Sequence, residues 1–174
     1  MTELKDRLKI ITYTTQKLLT STKHQVGTTA IQKIIFLLNR EGITDYTYKM
    51  YHYGPYSNQV SQDVTFAGES KLLKIDWIED KGYDIKIDST ELLSGVELTK
   101  STTDAIDRIV TKFGKFNAVE LSLIATAYFV LDNTDVGSND KQLVAIVTAL
   151  KPNYSDRVES VLKRAGIIPI PKTN

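Results

Sequence analysis

Residues 71–88 read KLLKIDWIEDKGYDIKID, and the fold is decided by how this stretch is folded. Ile75, Trp77 and Ile78 lead into Glu79-Asp80-Lys81-Gly82, a turn composition, and Tyr83, Ile85 and Ile87 alternate with polar residues after it. Alternation on both sides of a glycine-bearing turn predicts a β-hairpin. Upstream, Leu4, Leu8, Ile11 and Leu18 recur at helical spacing and predict a first helix from about Thr2 to Leu19. A second helix follows in GTTAIQKIIFLLNREG (27–42), with Thr28 or Thr29 as the expected cap, an apolar face of Ile31, Ile34, Ile35 and Leu38, and Gly42 as the stop. Ser57 is placed to cap a third, running through Ala67 with Val60 and Val64 inward. Helix, helix, helix, hairpin is the order of a winged helix.

Downstream, GVELT (95–99) offers a third short strand, and four more helices are expected. They cover Ser101–Phe113, Asn117–Leu131, Asn139–Leu150 and Ser155–Ala165, with Ser138 and Ser155 as caps and the tail from Ile167 limited by prolines. The expected class is therefore α+β and mainly helical. A winged-helix-like core with its hairpin spans residues 1–99, and a helical layer over residues 100–174 packs on it as one compact unit.

Composition narrows the chemistry. The chain has 174 residues and no cysteine, which excludes disulfides, thiol catalysis and cysteine-held metals. His24 and His52 are the only histidines and stand in no metal-ligand spacing. Asp132–Asp140 superficially resembles a calcium loop, but its twelfth position is Leu143 rather than glutamate. No phosphate-binding loop or dinucleotide fingerprint is present, and Ser57 lacks the surroundings of a nucleophile elbow. No catalytic set, no metal and no cofactor is expected. The charged amphipathic start and the lack of an apolar run near roughly 18 residues predict no membrane span and a cytoplasmic location.

The net charge of +1 is unevenly spread. Residues 1–40 hold seven basic side chains against two acids, whereas residues 41–99 hold five against eleven. A DNA-reading winged helix would need cations on its third helix and hairpin. Here that helix offers Asn58, Gln59, Ser61 and Gln62, with Asp63 as its acid. In the hairpin Asp76, Glu79, Asp80, Asp84 and Asp88 outnumber Lys74, Lys81 and Lys86. The basic candidates for nucleic acid, Lys5, Arg7, Lys9 and Lys17, lie on the first helix.

MYHYGPYS (50–57) is the densest aromatic cluster in the chain. Residues 46–53 read as one extended segment and Gly54-Pro55 as the turn that joins it to the third helix. Tyr53 and Tyr56 are expected to bury their rings against the second helix, with Gln32 or Lys33 serving their hydroxyls. Burial of Tyr53, Tyr56 and Gln32 together would make the motif a staple of the fold. A solvent-open groove lined by them would make it a recognition site.

GTTAIQKIIFLLNREG followed by YHYGPYSNQV resembles the YwgA-like proteins of bacteria and archaea and, more distantly, the Panacea antitoxin domain. The resemblance extends through LTKSTTDAIDRIV (98–110), VELSLIATAYFVL (119–131) and DRVESVLKRAGII (156–168). The matching motif positions are Gln32 and Lys33, then Tyr53, Gly54, Pro55, Tyr56 and Ser57, with Ile31 where the family has leucine. The resemblance implies a non-catalytic module that binds a partner protein, as Panacea domains bind toxins. Tyr51 and His52 join the motif residues as candidate contacts. A DNA-binding regulator, acting as a homodimer through the basic first helix, is the alternative expectation. An enzyme with an unrecognised pocket near His52 is the third.

Overall fold

A computed structural model describes residues 3–138 and 141–170. The expected helix starts at Thr2 and Asn139, and the tail from residue 171, lie outside the described residues.

The chain runs α1 (Leu4–Ser21), α2 (Thr28–Arg40), β1 (Lys49–Tyr51), β2 (Gly54–Tyr56), α3 (Asn58–Glu69), β3 (Leu73–Ile78) and β4 (Gly82–Ile87). It continues through a 3-10 turn (Glu91–Leu93), α4 (Lys100–Phe113), α5 (Ala118–Asn133), α6 (Lys141–Leu150), a second 3-10 turn (Pro152–Tyr154) and α7 (Ser155–Arg164). The fold is α+β and mainly helical, with two separate two-stranded antiparallel sheets. One buried apolar cluster draws on both halves of the sequence, from Leu8 and Ile35 to Leu123 and Leu162.

α5 sits at the centre. Leu121 to Ala127 are all buried, so the helix is apolar on every side and must be surrounded. α2, β2, α6 and α7 do this. Its start is fixed by a reciprocal capping box between Asn117 and Glu120.

The β3–β4 hairpin pairs Leu73 with Ile87, Ile75 with Ile85 and Trp77 with Tyr83 on one face. The opposite face sets Lys74 against Lys86 and Asp76 against Asp84. Like charges facing each other would repel, but Lys74 reaches Asp76 at 3.5 Å and Lys86 reaches Asp84 at 3.0 Å, so the four neutralise one another. Two of the acids read as a repulsive wing are thus already matched.

Four expectations fail here. GVELT forms no strand, because the outer edge of β4 is already occupied. The Ile85 N–H donates to the Val26 carbonyl at 2.8 Å, and the Gln25 amide donates to the Tyr83 carbonyl at 2.8 Å. Thr28 is already helical and Gly27 stands at the N-cap without a side-chain cap. A Cβ at Gly27 would lie 2.8 Å from the Tyr83 carbonyl oxygen, so hairpin contact selects the glycine. Ser155 caps nothing, because the 3-10 turn at Pro152 runs directly into α7. Finally, residues 46–53 are not one extended segment. The chain turns at His52-Tyr53, and Gly54-Pro55 open the returning strand, with Tyr51 opposite Gly54.

Asp63, expected as an acid on the outer face of the third helix, points inward. Its carboxylate accepts from Arg7 Nε at 2.8 Å, from Arg7 Nη2 at 3.3 Å and from the Tyr46 hydroxyl at 2.8 Å. Burial, then the hydrogen bond to Asp63, raises the Tyr46 hydroxyl above its ordinary range. This network ties α1 and α3 to the loop after α2. Asp63→Ala removes two hydrogen bonds from the half-buried Arg7 and strands the buried Tyr46 hydroxyl, and should cost about 2 kcal/mol in urea denaturation. A loss below about 0.5 kcal/mol would show that Arg7 reaches water on its own.

Candidate functional site

The β1–β2 hairpin is held to the helical body by its backbone. The Lys151 ammonium donates to the His52 carbonyl at 2.6 Å, and the Ser122 hydroxyl to the Tyr53 carbonyl at 2.7 Å. The Lys33 ammonium donates to the Pro55 carbonyl at 2.8 Å. The Gln32 amide donates to the Ser57 carbonyl at 2.9 Å and accepts from the Ser57 N–H at 3.2 Å, as a paired strand would. Four carbonyls within six residues are thus taken by buried or half-buried side chains of α2, of α5 and of Lys151, the residue between α6 and the second 3-10 turn. A backbone group left unpaired here would carry its full desolvation cost.

The local sequence makes this approach feasible. Gly54 has φ +89°, and a Cβ there would stand 2.8 Å from Thr126 Oγ1 and 3.1 Å from the Ser122 carbonyl oxygen. Ser122 and Thr126, one turn apart, give α5 a flat stripe on which β2 can lie. Thr126 returns its own hydroxyl to the Ser122 carbonyl at 2.7 Å, leaving no polar atom stranded. Ser57 ends the hairpin and caps α3, accepting from the Val60 N–H at 3.4 Å.

The structure thus divides the motif. Gln32, Lys33, Gly54, Pro55 and Ser57 are buried, with Lys33 only 2% exposed. Tyr51 and Tyr53 are 61% and 65% exposed, His52 is exposed and Tyr56 half-buried. The expected burial of the Tyr53 ring against α2 is overturned, and the Tyr56 ring is buried only in part. Gln32 and Lys33 serve backbone carbonyls instead of tyrosine hydroxyls, and the rings, freed from that role, face outward. Lys151, Ser122 and Thr126 were not anticipated. The signal was present for the last two, since paired hydroxyl residues four apart in an otherwise apolar helix mark a close backbone approach.

The outward rings border a groove of about 660 Å³. Tyr51, Tyr53 and Tyr56 form one wall, and Ile75 and Tyr83 line it from the second hairpin. Its floor is α2 from Thr28 to Lys33 with the Val64 and Gly68 side of α3. Tyr51 stacks obliquely on Tyr56 with centroids 5.7 Å apart. Trp77, 67% exposed, meets Tyr83 edge-on at 5.0 Å. Aromatic clusters from two different hairpins therefore flank one opening.

The candidate nucleic-acid contacts are dispersed. Arg7 is turned into the Asp63 network and Lys17 pairs with Asp107 of α4 at 2.9 Å. Lys5 is exposed and Lys9 half-buried on α1, while Asn58 and Gln62 are exposed and Gln59 half-buried on α3. Arg7, Asn58 and Gln62 line a second groove of about 610 Å³ between α1 and α3. Gln59 and Lys49 line a third of about 580 Å³ beside β1. Among the described residues no cluster of three or more His, Asp or Glu could hold a metal ion, and no helix is long and apolar enough to cross a membrane. No family model matches the chain, and no curated protein does.

Lys33 carries the clearest electrostatic signature. Burial, then the charge of Lys151, lowers its amine from 10.5 to about 7, and burial lowers Lys151 to about 8. Folding thus favours the neutral amine. Between about pH 7 and 10.5 the unfolded chain binds more protons at Lys33 than the folded one, so stability rises with pH across that window. It falls as pH drops toward 7 and levels below. Lys33→Met should flatten this slope in thermal denaturation from pH 7 to 10. An unchanged slope contradicts the burial of this amine. Gly54→Ala should destabilise by roughly 2 kcal/mol or more in urea denaturation, through its positive φ and the approach of α5. A neutral result would mean that β2 does not rest on Ser122 and Thr126.

Proposed function

We propose that this chain is a non-catalytic protein-interaction module of antitoxin-like or defence-related type, which binds a polypeptide partner in the groove between its two hairpins. The observation that carries the reading is the exposure of Tyr51, Tyr53 and Tyr83 around an opening of about 660 Å³, with exposed Trp77 packed edge-on against Tyr83. Tyrosine and tryptophan dominate the binding energy of protein interfaces when they can be buried by a partner. Rings on hairpins fixed through their backbones lose little freedom on binding, which favours affinity. The motif positions shared with the YwgA-like and Panacea sequences, Gln32, Lys33 and Tyr53 to Ser57, are those that build this wall, which supports the same reading.

The alternative, a winged-helix DNA-binding regulator, draws on the polar α3 residues Asn58, Gln59 and Gln62. It has less support from charge, because Arg7 and Lys17 are engaged in ion pairs, the wing lysines Lys74 and Lys86 are matched by Asp76 and Asp84, and Glu79 and Asp80 stand exposed at the wing's tip. A homodimer is compatible with either reading.

A photo-crosslinking residue in place of Tyr53 or Trp77, in the native host, should yield polypeptide adducts. The same probe at Leu92, exposed and not among the residues that line the groove, should not. Once the partner is identified, Tyr53→Ala and Trp77→Ala should each weaken binding by roughly 30-fold, with stability changed by less than about 0.5 kcal/mol. Nucleic-acid adducts, with DNA binding that falls steeply in salt, would favour the regulator instead.

A further inference from the structure

Lys33 and Lys151 fasten opposite sides of the same tight turn. One holds the Pro55 carbonyl and the other the His52 carbonyl, two residues before and one residue after Gly54 in reverse order. Both residues are buried, and among the described residues neither ammonium has a carboxylate within ion-pair distance. Buried cations are ordinarily paired with acids. A backbone carbonyl is an acceptor for a neutral amine as well as for an ammonium, so the bonds drawn here do not require charge.

The surroundings supply no compensating group. The hairpin contributes Lys49, Tyr51, His52, Tyr53 and Tyr56, and α5 turns the hydroxyls of Ser122 and Thr126 toward it. α3 contributes Asp63, already held by Arg7 and Tyr46, and Glu69, which lines the same groove as Lys33 but makes no ion pair with it. From α1 and α4 come Lys17 with Asp107, and Arg108 with Glu41 at the end of α2, and from α5 come Asp132 with Arg40 and Glu120 with Arg164, each pair closed on itself. β4 contributes Tyr83. Around Lys151 the 3-10 turn adds Tyr154, and α7 adds Asp156, Arg157 and Glu159, the last paired with Lys163 at 2.6 Å.

We propose that Lys33 and Lys151 form a proton-sensitive latch, in which charging the two amines releases the β1–β2 hairpin from α5 and dismantles the aromatic wall of the groove. Release lets both ammoniums reach water and separates like charges, while α2, α5 and the α1–α3 network stay packed. The burial-driven lowering of both amines, to about 7 and about 8, puts the transition near neutral pH. The latch stands on the hairpin contacts alone. Its consequence for binding rests on the groove reading above.

Hydrogen exchange of the full chain, without partner, tests it directly. Protection of amides in residues 49–56, corrected for intrinsic rates, is compared with that of residues 121–127 in α5. Between about pH 8.5 and about pH 6 the hairpin opening constant should rise roughly tenfold or more, and that of α5 should change less. Lys151→Met should shrink the rise. Lys151→Gln, which keeps a donor for the His52 carbonyl without a titrating charge, should do the same if the methionine variant folds poorly. His52→Gln should leave the rise intact, because that imidazole is exposed. Equal hairpin protection at both pH values would overturn the latch, as would a rise shared equally by α5, a rise untouched by either Lys151 variant, or one abolished by His52→Gln. Tyr53→Ala separates the two ideas. It should keep the pH-dependent opening while losing partner adducts formed through a probe at Trp77, whereas an otherwise unsubstituted chain that opens but captures no polypeptide contradicts only the groove reading.

Discussion

Capture of the hairpin backbone by buried side chains is the interaction on which the rest of this structure depends. Lys33, Gln32, Ser122 and Lys151 each take a carbonyl between His52 and Ser57. Those carbonyls could not otherwise be satisfied so close to α5, where apolar side chains dominate. Once the backbone is anchored this way, the tyrosines of the same segment have no structural duty in the core. They project outward as a wall. The same bonds that pin β2 to α5 therefore create the exposed aromatic surface, and fold and candidate site cannot be separated at this point.

That arrangement also sets the choice of residues on the supporting helices. α5 has to be apolar all round to sit at the centre, yet it must leave a shallow place for a passing strand. Ser122 and Thr126 meet both needs because they are small and can satisfy their hydroxyls locally. Gly54 completes the fit from the other side. At Lys33 and Lys151 the compromise is electrostatic. Their length carries a donor to the carbonyls, but no acid accompanies them, and burial depresses both amines toward neutrality. A glutamine such as Gln32 does a comparable job without titrating, which makes the retention of two lysines the more telling choice.

Much of the architecture was legible in the sequence because periodicity reports burial directly. The 3.6-residue pattern located α1, α2 and the later helices, alternation located β3 and β4, and Ser57 was correctly read as a cap. What failed depended on long-range contact. The strand expected at GVELT was displaced by Gln25 and Val26, and Gly27 replaced Thr28 as a cap because the Tyr83 carbonyl packs on it. For the site, the sequence indicated that Gln32 and Lys33 meet the Tyr-Gly-Pro-Tyr-Ser segment. It did not indicate whether they bind its side chains or its backbone, since both offer acceptors to the same donors. Lys151 lies about a hundred residues from His52, and local pattern carries no trace of such a pairing. Asp63 was misread for a related reason: an acid on a polar helix looks exposed until Arg7 and Tyr46 are found against it.

The most direct test of this account is a titration of the Lys33 side chain by nuclear magnetic resonance, with lysines isotopically labelled and Lys33 assigned by substitution. An amine buried against the Pro55 carbonyl and lacking an acidic partner should titrate at about 7. A Lys33 that titrates near the ordinary 10.5 would mean that its ammonium is solvated or paired with an acid, and that the hairpin is not held in the way described.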